Sequence, residues 1–229
     1  MSVPDPAPAH HAGAPAWLHP HDLENLAPAA LAIAVAAGLQ LALPAGFVLL
    51  RPHWLLPALE LLLLLALVVL EWLPGEVDLR RLSFLLLGIV SVDNAVSSVL
   101  LSRRIITGAA GTDALPLLAT GGAIWVTNVI AYGIWFWLLD RGGPNARAEA
   151  ANPYPDLLFP QMGTPGVGPP TWHPLFVDYL YVSLTNAMAF SPTDTMPLTR
   201  RAKTLMALQS LVAVSTMALV LARAVNILH

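Results

Sequence analysis

Residues 176–201 read FVDYLYVSLTNAMAFSPTDTMPLTRR, and the interpretation of the whole chain depends on this stretch. It is apolar enough to enter a bilayer, yet hydroxyl, amide and carboxyl groups recur along it. These polar residues are Ser183, Thr185, Asn186, Ser191, Thr193 and Asp194. A long apolar segment, residues 202–228, follows directly. A half-polar leg before a terminal apolar helix predicts a hairpin that enters the membrane, and we take the six polar residues as its candidate functional groups.

The composition is typical of a membrane protein. Of the 229 residues, 56% are hydrophobic and 11% are charged, and the mean hydropathy is +0.66. Because a soluble domain carries about 25% charged residues, we predict an integral membrane protein whose partner is the lipid bilayer. The net charge of −3 leaves no basic surplus for nucleic acid. The absence of cysteine excludes disulfides and thiolate metal sites.

Apolar runs and polar connectors divide the chain into four parts. We expect residues 1–26, rich in Pro, Ala and His, to form a disordered tail, and no framework in it fixes a metal. Residues 27–140 predict a four-helix transmembrane region. Residues 141–172 predict a Pro- and Gly-rich loop, and residues 173–229 predict a re-entrant hairpin plus a terminal transmembrane helix.

The predicted fold class is an all-α integral membrane protein with four transmembrane helices, a pore-hairpin-like segment and a C-terminal transmembrane helix. Each crossing needs about 20 apolar residues, and the first four runs lie at about 28–50, 54–73, 82–106 and 117–139. In the first run small residues recur at every fourth position: Ala30, Ala34, Gly38, Ala42 and Gly46. Small residues on one face allow close packing of helices in lipid, so we expect a packing seam there. The alternative is an Ala-rich composition without a packing role.

Polar and ionisable residues inside the apolar runs form a second set of candidates. They are Glu60, Asp93, Asn94, Asn128, Gln209 and Thr216. A carboxylate at membrane depth must face protein or water or take up a proton, so Glu60 and Asp93 indicate a proton or ion role. The alternatives are snorkelling for Glu60, near the start of its run, and an interhelical hydrogen-bond patch for Asp93. We expect Asn128 to hydrogen-bond Asp93 or Asn94.

Residues 173–229 resemble the two-span pore module of the potassium-type ion channel superfamily. Tyr181, Ser183, Asp194 and Pro197 match the spacing of its Tyr, Ser, Asp and Pro residues, and an apolar segment like its inner helix follows. The resemblance implies a channel-like hairpin, with Ser183 in the pore helix and Asp194 as the carboxylate after the filter. It also implies a homo-oligomer and a small inorganic ion as the permeant species. The whole chain resembles uncharacterised bacterial multi-pass membrane proteins distantly related to that superfamily, which implies the bacterial inner membrane.

The sequence departs from that superfamily at the filter itself. Ser191, Pro192 and Thr193 stand where the family has Gly-aromatic-Gly. Filter carbonyls point inward because glycines reach backbone angles barred to other residues, whereas proline fixes φ near −65°. We therefore expect no potassium filter of the usual kind.

Three kinds of function stay open on the sequence. A channel-like or channel-derived protein accounts for the hairpin, a proton- or ion-coupled carrier would use Asp93 and Glu60, and a non-conducting structural protein would need neither. If the leg at 176–193 is re-entrant, as we expect, the chain crosses the membrane five times, and if the leg spans, six times. No nucleophile elbow, zincin helix or phosphate-binding loop occurs, so we predict neither an enzyme nor a cofactor.

Overall fold

The structure is a computed structural model that describes residues 15–43, 52, 54–72, 79–109, 113–164, 166–189 and 194–228. The helices are α1 (Ala27–Ala42), α2 (Leu55–Trp72), α3 (Leu79–Ile106), α4 (Ala114–Leu139), α5 (Pro144–Ala148), α6 (Pro160–Gly163), α7 (Phe176–Ala189) and α8 (Arg200–Leu228). Two short strands, β1 (Leu157–Leu158) and β2 (Met196–Pro197), pair antiparallel, with Leu157 opposite Pro197.

Three of the described helices are long and apolar enough to cross a membrane by their length and composition, namely α3, α4 and α8. They confirm an all-helical fold of the membrane type. α1 and the stretch Leu55–Leu65 of α2 are apolar but shorter. In the described part of the region 27–140, for which four spans were predicted, α3 and α4 are therefore of spanning length, and α1 and the stretch Leu55–Leu65 are shorter. Residues 44–50 of the first predicted span lie outside the described residues.

α4 is the central helix of the bundle and contacts α1, α3, α7 and α8. Gly121, near its start, lies so close to α8 that an added Cβ would come within 2.7 Å of Val220 Cγ2. Gly133, further along, lies against Leu180 of α7, whose Cα would be 3.2 Å from such an atom. The missing side chains thus allow α7 and α8 to approach the α4 backbone closely.

α4 and α8 run antiparallel. Gly121 near the start of α4 meets Val220 near the end of α8, while Asp140 after α4 and Arg201 in the first turn of α8 both contact Asp156. We call the end of the bundle that holds Asp140, Asp156 and Arg201 the cap end.

The small-residue face of α1 does not form the packing seam that we expected. The buried residues of this helix are Ala29, Ala32, Ile33, Ala36, Ala37 and Gln40. Ala34, Gly38 and Ala42 are exposed, and Gly46 lies outside the described residues. α1 packs on α2 and α4 with a different face, which carries Ile33 and four alanines, while Leu31, Val35 and Leu41 point away from the bundle.

Residues 15–26 and the loop after α4 fold over the cap end. Trp17 is buried, His21 N donates to Ala148 O at 2.9 Å, and Glu24 accepts a hydrogen bond from the first residue of α7. These contacts differ from the disordered tail predicted for residues 1–26, of which 1–14 lie outside the described residues. The loop predicted at 141–172 contains α5, β1 and α6.

Candidate functional site

Ser183, Asn186 and Gln209 form a first cluster, the hairpin cluster, between α7, α8 and α4. Ser183 Oγ donates to Val129 O at 2.6 Å. Gln209 Nε2 donates to the carbonyl oxygen and to Oγ of Ser183, at 2.9 and 2.6 Å. Asn186 Nδ2 donates to Gln209 Oε1 at 2.8 Å and to Met206 O at 3.0 Å. The structure thus brings together three of the predicted residues from two separate segments.

The polar face of α7 is turned toward its own bundle. Ser183 and Asn186 are buried, whereas Val177, Tyr181 and Met188 are each more than half exposed. The outward face of α7 is therefore mainly apolar, as suits a surface covered by lipid or by another copy of the chain. Within one chain, the hydrogen bonds of the hairpin cluster hold α7 to α4 and α8 rather than line an open path.

The other hairpin candidates lie elsewhere. Thr185 Oγ1 donates to carbonyl oxygens of the preceding turn of α7, at 3.0 Å in each case. Asp194 is exposed, and one residue, Thr195, separates it from β2. Ser191 and Thr193 lie outside the described residues.

Both ends of the hairpin segment lie at the cap end. α7 begins there, since Phe176 N donates to Glu24, and β2 lies there, since it pairs with β1 next to Asp140. Near the end of α7, by contrast, Ala187 packs with Val129, roughly midway along α4. The 14 residues of α7 extend over about 21 Å, against about 39 Å for the 26 residues of α4. α7 therefore extends from the cap end to about halfway down the bundle, and β2 lies at the cap end.

Glu60 and Asp93 lie in a second cluster, the carboxyl pocket, inside the bundle of α1 to α4. Glu60 is 2% exposed and Asp93 is 1% exposed, and the two carboxyl groups are close enough to interact electrostatically. Glu60 lines a cavity of about 10 Å³ together with Thr127 and apolar side chains. Among the described residues, neither Oε atom of Glu60 nor Thr127 Oγ1 has a hydrogen-bond partner. Glu60 is thus buried against protein and does not snorkel toward the membrane surface.

Polar side chains next to Asp93 face α4 from α3. Ser97 Oγ donates to Asp93 Oδ2 at 3.5 Å, and Asn94 Nδ2 donates to Ile124 O at 2.9 Å. Among the described residues Asn128 Oδ1 accepts no hydrogen bond, and the bond between Asn128 and Asp93 or Asn94 stays a prediction. The Asn94 amide binds to the backbone of α4 one turn before Asn128.

Ser98 and Thr216 join α3 to α8. Their Oγ and Oγ1 atoms lie 2.5 Å apart, and Thr216 Oγ1 donates to Val212 O at 2.8 Å. Since a hydroxyl has a single hydrogen to give, Ser98 is the donor between the two side chains. Thr216 is 1% exposed, so this predicted candidate lies in a helix interface of its own chain.

A third cluster, the cap network, was not predicted from the sequence. Its buried side chains come from the end of α4, the Pro- and Gly-rich loop and α7, and they are Asp140, Arg141, Arg147, Asp156 and Tyr179. One signal for it was present: an acid and a base, Asp140 and Arg141, directly follow the aromatic end of the fourth apolar run.

Asp140 is the centre of the cap network. Its Oδ1 accepts hydrogen bonds from Asp156 N at 2.7 Å and Leu157 N at 3.2 Å, and its Oδ2 accepts one from Tyr179 OH at 2.7 Å. The Arg147 guanidinium donates to Asp140 O at 3.0 Å. Burial raises the pKa of Asp140 above its ordinary value, while the Arg147 cation and these hydrogen bonds act in the opposite direction and favour the charged form.

Asp156 extends the network to α8. Arg201 donates through Nε to Oδ1 at 2.8 Å and through Nη2 to Oδ2 at 3.1 Å. Thr199 Oγ1 adds a bond to Oδ1 at 2.6 Å, and Arg141 N adds one to Oδ2 at 3.3 Å. This paired contact between a guanidinium and a carboxylate fixes the start of α8 beside the end of α4.

Arg141 ties the N-terminal segment to the cap network. Its side chain is buried, Nε donates to Asn152 O at 2.7 Å, and Nη1 donates to Trp17 O at 2.5 Å. Its φ of 52° lies in the left-handed region, which costs a non-glycine residue on the order of 1 kcal/mol. The hydrogen bonds of the guanidinium offset that cost.

Two further contacts, which we call the N-terminal clamp, fix residues 15–26 to the start of α7. Glu24 accepts a hydrogen bond from Phe176 N, and the rings of His21 and His173 stack with their centroids 3.9 Å apart. Burial lowers the pKa of His21 below its ordinary value, although the hydrogen bond to Asp22 O raises it in part. The neutral form of His21 therefore fits the clamp better than the charged form.

Among the described residues, no group of three or more His, Cys, Asp or Glu side chains is arranged to hold a metal ion. No family model, curated protein or solved structure matches the chain. The three clusters are thus the basis for assigning a function.

We predict that Asp140→Ala destabilises the protein strongly. The change leaves the Tyr179 hydroxyl and the Asp156 and Leu157 N–H groups without their acceptor in a buried site. We expect a loss of about 3 kcal/mol or more in the free energy of unfolding, measured by denaturant titration in detergent micelles. Asp113→Ala, an exposed acid without a side-chain cap bond at the start of α4, should cost less than about 0.5 kcal/mol. Equal losses in the two variants would contradict the role of Asp140.

We predict that acid weakens the N-terminal clamp. Since the clamp lowers the pKa of His21, the detached segment binds more protons between that pKa and the ordinary value of 6.5. The stabilisation is therefore complete above about pH 6.5 and declines as the pH falls below it. Amides 176–180 should exchange hydrogen faster at pH 5 than at pH 7.5, after correction for intrinsic rates. His21→Gln should remove this difference and His19→Gln should keep it, and a wild type without any difference would refute the effect.

Proposed function

We propose that the protein is a channel-derived multi-pass protein of a bacterial inner membrane, with a pore-type unit made of α4, α7 and α8. The observation that supports the proposal is the position of the two described parts of the hairpin segment: α7 starts at the cap end and reaches about halfway down α4, and β2 lies at the cap end. A segment that returns between these two parts enters and leaves a bilayer on one side. In this arrangement α1 and α2 complete four spans before the hairpin, and the chain crosses the membrane five times.

The length of chain between α7 and β2 supports the return. From position 189, where α7 ends, to position 196, where β2 begins, there are seven residue steps. At about 3.3 Å per residue they reach about 23 Å, close to the length of α7 itself, about 21 Å. The chain between α7 and β2 is therefore long enough to reach the cap end.

The order and packing of α4, α7 and α8 support the same proposal. A long helix, a half-length helix and a second long helix that runs antiparallel to the first correspond to the outer helix, pore helix and inner helix of the potassium-type superfamily. Ser183, assigned to the pore helix by the resemblance, bonds α7 to the outer-type helix α4. We propose that the permeant species is a small inorganic ion. Its selection does not depend on a potassium filter, because the Gly-aromatic-Gly positions of the filter hold Ser191, Pro192 and Thr193.

We also propose that the protein is a homo-oligomer, because one pore-type unit lines only part of a conduction path. α8 presents large apolar side chains to its surroundings at Leu208, Leu211, Leu221 and Val225, which are 49%, 68%, 49% and 55% exposed. These side chains provide a face that lipid or another copy of the chain can cover.

The path of the hairpin is testable by single-cysteine labelling, because the chain has no cysteine of its own. Thr171 before α7 and Leu198 after β2 are exposed, so cysteines there should react readily. We expect Thr171→Cys and Leu198→Cys to react with a membrane-impermeant maleimide from the same side of sealed vesicles. Thr107→Cys, at the exposed end of α3, should react from the other side. Labelling of positions 171 and 198 from opposite sides would show that the leg spans the membrane.

Conduction is testable with purified protein in liposomes. We expect a flux of monovalent cations above that of empty liposomes, and a loss of about tenfold in Asp194→Asn, because an exposed carboxylate beside the return segment concentrates cations locally. Asp113→Asn, an exposed acid at the opposite end of the bundle, should leave the flux unchanged. If wild type and Asp194→Asn both give nothing above empty liposomes, the conduction proposal is wrong.

A further inference from the structure

The cavity beside Glu60 is small and almost entirely apolar. Apart from Glu60 and Thr127, its walls are aliphatic side chains from α1, α2, α3 and α4. Thr127 is fully buried, and its Oγ1 has no hydrogen-bond partner in the described part of the chain. A carboxyl group and a hydroxyl, both without partners, thus share one small space in the middle of the protein.

Among the described residues that line the cavity, none compensates a negative charge on Glu60. α1 contributes only apolar residues to the cavity, α4 contributes Thr127 as its polar group, and α3 brings a second acid, Asp93, within electrostatic range. A buried carboxylate without a cation or donors costs several kcal/mol, and a second carboxylate nearby adds repulsion. The pocket is therefore suited to an acid that is neutralised by a ligand.

The size of the cavity and its few oxygen atoms exclude a coordinated metal ion as that ligand. A volume of about 10 Å³ has room for about one water molecule. Calcium and magnesium require about six or more oxygen ligands, whereas the cavity offers the carboxyl oxygens of Glu60 and the hydroxyl of Thr127. A proton needs one oxygen and no additional space.

We propose that Glu60 and Asp93 form a proton-binding site in the core of the bundle, in which Glu60 is the group that takes up the proton. Asp93 Oδ2 already accepts a hydrogen bond from Ser97 Oγ, whereas the described residues supply Glu60 with no donor. Glu60 is therefore the acid whose charge the proton neutralises. The proton comes from water and bonds to one Oε atom, and no other bond forms or breaks. The two acids lie on α2 and α3, outside the hairpin, and the proposal about them does not depend on conduction by the pore-type unit.

Infrared spectroscopy tests the site directly, because the C=O stretch of a protonated carboxyl is separate from the bands of a carboxylate. In wild-type protein in lipid at about pH 7 we expect a protonated-carboxyl band that Glu60→Gln removes. Glu149→Gln, which changes an exposed acid of the same type, should keep the band. A wild-type spectrum without the band, or a band that Glu60→Gln leaves unchanged, would overturn the proposal.

Asp93→Asn gives a second readout that does not require the Glu60 variant to fold. Removal of the negative neighbour should let Glu60 release its proton more easily, so the pH midpoint at which the band disappears should fall by about one unit. Asp113→Asn is the matched control and should leave that midpoint in place. A midpoint in Asp93→Asn equal to that of wild type, or higher, would show that the two acids do not form one site.

Discussion

The carboxylate of Asp140 is the constraint on which the rest of the structure depends. It accepts hydrogen bonds from Asp156 N, Leu157 N and Tyr179 OH, which belong to the loop, to β1 and to α7. Since the donors come from different segments, one buried charge determines where the loop turns and where α7 lies. β1 then pairs with β2 and so brings the start of α8 back beside α4. The cap network thus fixes the start of α7, while the hairpin cluster holds its second half to α4 and α8.

Asp140 and Glu60 show how the surroundings of a buried acid decide what it does. Both are buried, at 0% and 2% exposed. Three donors and the Arg147 guanidinium surround Asp140, so a negative charge there is stabilised and holds segments together. Aliphatic side chains and a second acid surround Glu60, so a negative charge there has no compensation. Asp140 directly follows an apolar run and Glu60 lies inside one, and neither position shows which groups surround the acid in the fold.

The sequence predicted α3, α4 and α8 well because a long apolar run is a local property of the chain. It also selected Ser183 and Asn186, but not their direction, since helical periodicity groups residues on a face without showing which neighbour covers that face. On α1 it selected the wrong face, because small residues at every fourth position are compatible with packing but do not require it. The cap network could not be predicted, because its bonds join residues from 7 to 124 positions apart through an irregular loop.

The inward direction of the polar face of α7 restricts which atoms can line the proposed pore. Ser183 and Asn186 are bonded to α4 and α8 of their own chain, and they cannot bind a passing ion without losing those bonds. The ion path of the proposed channel therefore lies outside the hairpin cluster of a single chain. The polar face of α7 serves as a contact between helices, so measured cation flux is the property on which the channel proposal depends.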